Sequence, residues 1–266
     1  MLKLTILGCG TSSGVPRIGH DWGACDPTDP RNRRMRASIL VESATTRILV
    51  DTGPDLREQL LSADVAHVDA ILWTHDHADH CHGIDDIRQI VQVQRSEVNG
   101  YARAQTIDRL KARFNYAFAG RSGYPPIISS NVLPEGVLMI GDIQVEAVDQ
   151  PHGDIFSTGF LFKNQGYSVG YSTDFHDVTD EMLSFFAGVD VWVTDALRDR
   201  PHPTHAHLAL TLEAIAKAKP YRSILTHMDN SMDYAVLAGR LPDGVEPGFD
   251  GLTVVLDTPV QAGSHG

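Results

Sequence analysis

The sequence predicts an α/β fold built as one domain, and three observations predict it. Short apolar, β-branched runs alternate with stretches of helical spacing along most of the 266 residues. No apolar run approaches the ~20 residues that a membrane-spanning helix needs. Residues of metal-ligand type recur just past the ends of strand-like runs, where loops on a rigid scaffold carry chemistry.

The elements follow in order. Residues 3–7, Lys-Leu-Thr-Ile-Leu, read as a first strand. Residues 38–42 and 47–51 are further strands, and 55–61 forms a short helix. The run 70–74, Ala-Ile-Leu-Trp-Thr, reads as a buried strand. A helix over 79–91 follows, then another over 106–114. Residues 137–140, 143–148, 158–162 and 167–172 form a succession of strands. Helix 179–185, strand 189–193, helix 211–217, strand 223–226 and a last strand over 252–256 complete the pattern. The long loop 8–36 and the segment 93–135 lack clean periodicity and are candidates for shaping a pocket. Residues 1–258 are expected to form the domain and 259–266 a loose tail. The metal-type motifs span 75–227, so a division into two domains would split them.

The densest motif is Thr74-His75-Asp76-His77-Ala78-Asp79-His80, with four metal-grade side chains, His75, His77, Asp79 and His80, inside six residues. Imidazole and carboxylate together suit zinc and similar divalent ions. Neither a helix nor a strand would put all four on one face. A tight loop leaving a strand could turn His75 and His77 toward one ion and Asp79 and His80 toward a second. His152 in Asp149-Gln150-Pro151-His152-Gly153, Asp174 in Ser172-Thr173-Asp174, and His227 after Ile224-Leu225-Thr226 each follow a probable strand. Alone, each would be an ordinary turn residue or helix cap. Together with the H-x-H-x-D-H cluster they make a ligand set.

These motifs, present in order from residue 4 to about 256, resemble those of the metallo-β-lactamase-fold hydrolases. The resemblance implies a four-layer αββα sandwich with the ligands on loops along one edge of two sheets. It implies that His75, His77 and His152 hold one metal, that Asp79, His80 and His227 hold the other, and that Asp174 bridges both. Residues 8–17 (GCGTSSGVPR), residues 30–36 (PRNRRMR), Pro203-Thr204-His205 and Ile224-Leu225-Thr226-His227 resemble the phosphodiesterase branch. Within that branch the chain is most similar to the phosphoribosyl cyclic phosphodiesterases of the carbon–phosphorus lyase pathway, and more distantly to ribonuclease Z. The former carry a separate structural zinc. The matching positions here are His20, Trp22, Cys25 and Asn230. An indole N–H only donates, and Asn is a poor zinc ligand beside Cys and His. That third site is expected to be absent, which puts identity of substrate with those relatives in doubt.

The implied reaction is hydrolysis of a small nucleotide-like or cyclic sugar phosphate ester by a hydroxide bridging two divalent ions, zinc or alternatively manganese. Asp174 is the catalytic bridge, and His205 the general acid that protonates the leaving oxygen. His202 and His207 flank His205 and could assist it; the plainer reading is a solvated loop residue for each. His82 should face away from the metals, and His176 should lie at the surface or behind the ligands. Asp51 resembles a buried acid that supports the ligand loop. One of Arg31, Arg33, Arg34 and Arg36 could clamp phosphate. Thr11-Ser12-Ser13-Gly14 could equally line the pocket or form a plain turn. Phe114, Tyr116, Phe118 and Tyr124 could stack a base, although core packing is the simpler role for most of them.

Composition sets the remaining bounds. A net charge of −12 disfavours tight binding of long nucleic acid. The N-terminus reads as a strand rather than a signal peptide. Cys9, Cys25 and Cys81, an odd number without a disulfide pattern, fit a reducing cytoplasm. Cys81 should be a packed thiol behind the ligand loop. A homodimer is compatible with all of this. The competing readings are ribonuclease Z-like RNA processing, a glyoxalase-type thioesterase, a di-iron oxidoreductase and a non-catalytic binding module.

Overall fold

The computed structural model describes residues 1–257. The tail expected at 259–266, and residue 258, lie outside the described residues. Fourteen strands occur among the described residues: β1 (Leu2–Gly8), β2 (Ser38–Glu42), β3 (Arg47–Val50), β4 (Ala70–Leu72), β5 (Val98–Ala102), β6 (Ile128–Val132), β7 (Leu138–Ile140), β8 (Ile143–His152), β9 (Ile155–Asn164), β10 (Tyr167–Ser172), β11 (Val191–Asp195), β12 (Arg222–Thr226), β13 (Val245–Pro247) and β14 (Thr253–Leu256). The α-helices are α1 (Leu56–Ser62), α2 (Ala78–Cys81), α3 (Ile87–Gln94), α4 (Ala104–Arg113), α5 (Asn115–Ala119), α6 (Asp180–Phe185), α7 (Leu208–Ala218) and α8 (Tyr234–Ala238).

The strands form two seven-stranded sheets, ordered β14-β1-β2-β3-β4-β5-β6 and β13-β12-β11-β10-β9-β8-β7. Each is antiparallel on one side and parallel on the other, with the change of sense at β3 in the first and β10 in the second. Alternation along the strands builds two cores. Ile39, Val41, Ile48, Val50 and Leu72 face inward and meet Val145, Phe160, Phe162, Tyr171 and Val193 of the second sheet. Their neighbours Leu40, Leu49 and Ile71 face outward and are covered by Leu56, Leu60, Ile87, Ile90 and Leu110 of the helices. On the far side α6 leads into Phe186, which stacks on Trp192 with ring centroids 4.9 Å apart. That contact needs a glycine. A Cβ at Gly170 would come within 2.7 Å of the Phe186 ring. The result is the four-layer αββα sandwich expected from the resemblance.

Several elements differ from the sequence reading. The helix expected over 79–91 breaks into α2, a 3-10 turn at Ile84–Asp86 and α3. Gly83 is the reason. Its N–H donates to the Thr52 carbonyl at 2.8 Å, and a Cβ there would sit 2.0 Å from the Gly53 carbonyl. Strands β5 and β6 and helix α5 lie in the segment 93–135 that lacks clean periodicity, and helix α8 and strand β13 lie between residues 226 and 252, to which the sequence reading assigns no element. Asn99, Gly100, Ser129, Ser130 and Asn131 mask the strand pattern in β5 and β6. β8 runs on past Val148 through Pro151 to His152, paired with β9 in the register His152↔Ile155. β11 reaches Asp195, two residues beyond the expected end. Phe114, Tyr116 and Phe118 pack against the outer core, as expected for most of the aromatic stretch, while Tyr124 is exposed.

Candidate metal centre

The C-terminal ends of β4, β8, β10, β11 and β12 converge on one edge where the two sheets meet. His75 to His80 leave β4. His152 ends β8. Asp174 lies two residues past β10, and His227 directly follows β12. The backbone is locally unusual there. Asp174 (φ 59°), His227 (φ 58°) and Asp51 (φ 65°) all adopt left-handed conformations. Such positions cost about 1–3 kcal/mol each and gather at functional sites. The Thr158 N–H donates to the Thr74 carbonyl at 2.9 Å, tying the ligand loop of the first sheet to the second.

All seven side chains nominated from the sequence meet here. His75, His77, His152 and Asp174 form one group whose ligand atoms lie within 4.8 Å of one another, and Asp79, His80 and His227 form another. The Asp174 carboxylate divides between them. Its Oδ1 is 3.9 Å from His75 Nε2 and 3.6 Å from His152 Nε2. Its Oδ2 is 3.2 Å from His80 Nε2 and 3.5 Å from His227 Nε2. Asp79 Oδ2 lies 3.3 Å from His80 Nε2 and 3.5 Å from His227 Nε2. His152 Nε2 and His77 Nδ1 approach to 3.2 Å. Only His77 is exposed; it stands at the rim.

The donor set fits divalent ions. The Nε2 atoms of His75, His80 and His227 are buried without a hydrogen-bonding partner, yet all point into the cluster. Buried polar atoms left unpaired are costly, and coordination is what would satisfy several converging lone pairs at once. For His75, His80 and His152 the Nδ1 atom is anchored, which fixes the tautomer, whereas His227 Nδ1 is buried without a partner. His80 Nδ1 donates to Asp51 Oδ2 at 2.7 Å, and His152 Nδ1 donates to the Thr204 carbonyl at 2.7 Å. Thr74 Oγ1 lies 3.0 Å from His75 Nδ1 and donates to Asp51 Oδ2 at 2.9 Å. Asp51 is therefore the buried support that the resemblance implied.

Electrostatics follow from crowding two charge types in one buried place. Burial, and then the neighbouring His80, push the His75 imidazole well below its ordinary value. Burial also lowers His152. Burial opposes charging of His227, but Asp174, Asp79 and Asp195 overcome it and lift the imidazole to about 9. His80 is raised against burial by Asp174, Asp79 and Asp51. Asp174 resists its own burial and is held well below the usual carboxylate range by His227 and His80.

His205 stands beside this cluster. Its Nδ1 is 3.3 Å from Asp195 Oδ2 and 3.5 Å from Asp174 Oδ1, and its ring stacks on His227 at 4.8 Å. With Nδ1 turned to the carboxylates, Nε2 lies on the opposite edge of the ring. Asp174, Asp195, His205 and His227 also form a possible ligand group. Asp195 was missed from the sequence. It is fully buried, and its Oδ2 also accepts the Asp174 N–H at 3.0 Å. The available signal was a carboxylate at the end of a strand, as at Asp174.

Other nominated residues go elsewhere. His82 turns to Phe114, with ring centroids 5.5 Å apart. His207 occupies the N-cap of α7. Cys81 is buried and its thiol donates to the carbonyls of Asp76 and His77. Of the arginines, Arg31 pairs with Asp29 and Arg36 with Asp55. Arg33 lies over the Trp22 ring. Arg34 is fully buried, donating to the carbonyls of Asp229 and Met232, with Nη1 3.9 Å from Cys25 Sγ. Thr11 to Gly14 close a turn through Gly14 N–H to the Thr11 carbonyl.

Comparison with known proteins agrees with this architecture. A solved diphosphatase of the PhnP family is 33% identical with a TM-score of 0.87, over 95% of this chain and 96% of that one. Zn²⁺-bound PqqB from Methylobacterium extorquens, 17% identical with a TM-score of 0.77, and human short-form tRNase Z, 16% with 0.70, share the fold. A Porphyromonas gingivalis protein named octanoyltransferase is 31% identical over 265 residues, 96% of this chain and 52% of that protein. Ribonuclease Z of Bradyrhizobium diazoefficiens is 30% identical over 169 residues, 62% of this chain and 50% of that one. The chain thus spans about half the length of the curated relatives it matches. Residues 46–228 match the beta-lactamase superfamily domain, and the chain belongs to that superfamily.

Proposed function

We propose that the protein is a metal-dependent phosphodiesterase acting on a small nucleotide-like or cyclic sugar phosphate. The observation that carries the reading is the divided Asp174 carboxylate, with one oxygen toward His75 and His152 and the other toward His80 and His227. The match to a PhnP-family diphosphatase along nearly the whole of both chains supports it. In this reading His75, His77 and His152 hold one divalent ion, Asp79, His80 and His227 hold a second, and Asp174 serves both. Zinc suits the set, with manganese as the alternative. When bound, such a pair supplies an activated water and neutralises phosphoryl oxygens.

The protein's own groups do the rest. Asp51 and the Thr204 carbonyl orient His80 and His152. Asp195 holds the His205 ring by Nδ1, leaving Nε2 to protonate the leaving oxygen. The charge of −12 favours a small ester over long RNA. The protein named octanoyltransferase is matched over only 52% of its length, so its name does not bear on the chemistry proposed for this chain.

Metal-loaded protein is to be screened on cyclic nucleotides, cyclic ribose phosphates, bis(p-nitrophenyl) phosphate, precursor tRNA and a glutathione thioester. Turnover of a small phosphodiester is expected; turnover of the thioester or the tRNA alone rejects the reading. The His205→Ala variant then tests the acid. An alkoxide needs a proton to depart, whereas p-nitrophenolate does not. The variant should lose roughly 10²–10⁴-fold on alkyl or ribose esters and far less on bis(p-nitrophenyl) phosphate, with metal content unchanged. Equal losses on both esters remove His205 from that role, and loss of metal makes it a ligand.

A further inference from the structure

The loop that carries His205 holds a second imidazole in a defined state. The loop is closed at its neck by Leu197 N–H to the Ala206 carbonyl at 3.0 Å and Leu208 N–H to the Arg198 carbonyl at 2.9 Å. Within it, the Arg198 guanidinium donates to the carbonyls of Arg200 and Pro201 at 3.2 and 3.1 Å. The loop is thus braced from inside.

Thr204 sits at its centre and is shared by two histidines. Its carbonyl accepts from His152 Nδ1. Its N–H points at His202 Nδ1, 3.3 Å away, and its hydroxyl lies 3.2 Å from the same nitrogen. A backbone N–H can only donate, so His202 Nδ1 must be the acceptor there. A neutral imidazole has one proton, and in this arrangement it resides on Nε2. The His202 ring is half-buried, 5.1 Å from the His205 ring and tilted by 52°. Beside the candidate acid, the loop therefore presents a fixed, uncharged N–H donor.

Most of the arginines nominated from the sequence are committed: Arg31 and Arg36 are paired with acids and Arg34 is buried among carbonyls, while Arg33 lies over the Trp22 ring; Arg198 is spent on its own loop. We propose that His202 is a substrate-binding residue whose Nε2–H donates to a non-reacting phosphoryl oxygen and sets the ester against His205. This rests on the phosphodiesterase reading. A donor fixed by the backbone loses little freedom on binding, and its bond to an anionic oxygen is of the stronger, charge-assisted kind.

Two substitutions separate the two nitrogens. Asn keeps an acceptor near the Nδ1 position and lacks the outward donor. Gln reaches the Nε2 position with an amide N–H and lacks the acceptor that pins the loop. The proteins are compared with both metals loaded, by KM and kcat and by calorimetric titration with inorganic phosphate. His202→Asn should weaken phosphate binding about tenfold or more and raise KM, while His202→Gln should recover most of both. His202→Asn matching the wild type overturns the inference. So does His202→Gln as weak as His202→Asn, since the pin to Thr204 would then be the whole role. If the wild type turns over a phosphodiester in either case, the functional reading stands and only His202 falls. A metal-loaded wild type that neither cleaves a phosphodiester nor binds phosphate overturns both.

Discussion

His227 shows at the level of a single residue how protons and ions compete for this site. In the metal-free protein the field of Asp174, Asp79 and Asp195 raises its imidazole to about 9, against about 6.5 in an unfolded chain. The folded state therefore binds this proton more tightly. The stabilisation is fully present below about pH 6.5 and is lost as pH rises through about 9. Chelated protein should accordingly show a falling melting temperature between those limits. Ions would take over the role of the proton, so the melting gain on adding metal should grow across the same window, with protons released on uptake. A flat profile for the chelated protein would contradict the arrangement. The metal-type residues themselves were legible because their chemistry is rare and their spacing dense. Asp195 was not, since the strand was expected to end at residue 193, which hid that this carboxylate stands at a strand end as Asp174 does. Nor was the Thr204 carbonyl, because a backbone acceptor for His152 has no signature in residue type.

Among the elements, α4 does more than cover the sheet. Arg109 Nη1 reaches Asp76 Oδ1 at 3.1 Å, and Arg113 Nη2 reaches Asp76 Oδ2 at 3.0 Å. Arg113 also donates to the Asp76 carbonyl. Asp76 lies between His75 and His77, so a helix from the irregular-looking segment holds the turn that aims both rings. Both guanidinium groups are partly exposed, and their removal leaves the outer core intact. An Arg109→Ala, Arg113→Ala double variant should keep its fold and bind metal about 10–100-fold more weakly, the usual effect of losing partners one layer behind the ligands. Competition with a chelator measures this, and unchanged affinity would assign the two ion pairs to the surface alone. The helix was readable from its spacing. Its partners β5 and β6 were not, because Asn99, Gly100 and Asn131 break the apolar alternation that parallel strands normally show.

At the scale of the whole molecule the two sheets repeat one plan, although no internal repeat is visible in the sequence. β1-β2-β3-β4-β5-β6 and β8-β9-β10-β11-β12-β13 each run from antiparallel to parallel, flanked by β14 and β7. Asp51 after β3 and Asp174 after β10 hold equivalent places and share the left-handed backbone. Topological equivalence of this kind survives without sequence likeness because only the burial pattern and the strand ends must persist. The consequence is mechanical. Residues 75–80 belong to one half, residues 152–227 to the other, and the ligand set closes only when both sheets are docked. Ions at this edge would cross-link the halves, so chelation should lower the melting temperature and loosen segments 74–82 and 226–230 together in hydrogen exchange. Stoichiometry then separates the two proposed positions. Elemental analysis should give two ions per chain in the wild type. His152→Ala should retain one, and Asp79→Ala the other, because each removes a ligand from one group only. Asp174→Ala should deplete both, since its two oxygens face opposite groups. One ion per chain in a fully loaded wild type, or an Asp174→Ala protein that still holds two, would end the assignment of Asp174 as the bridge.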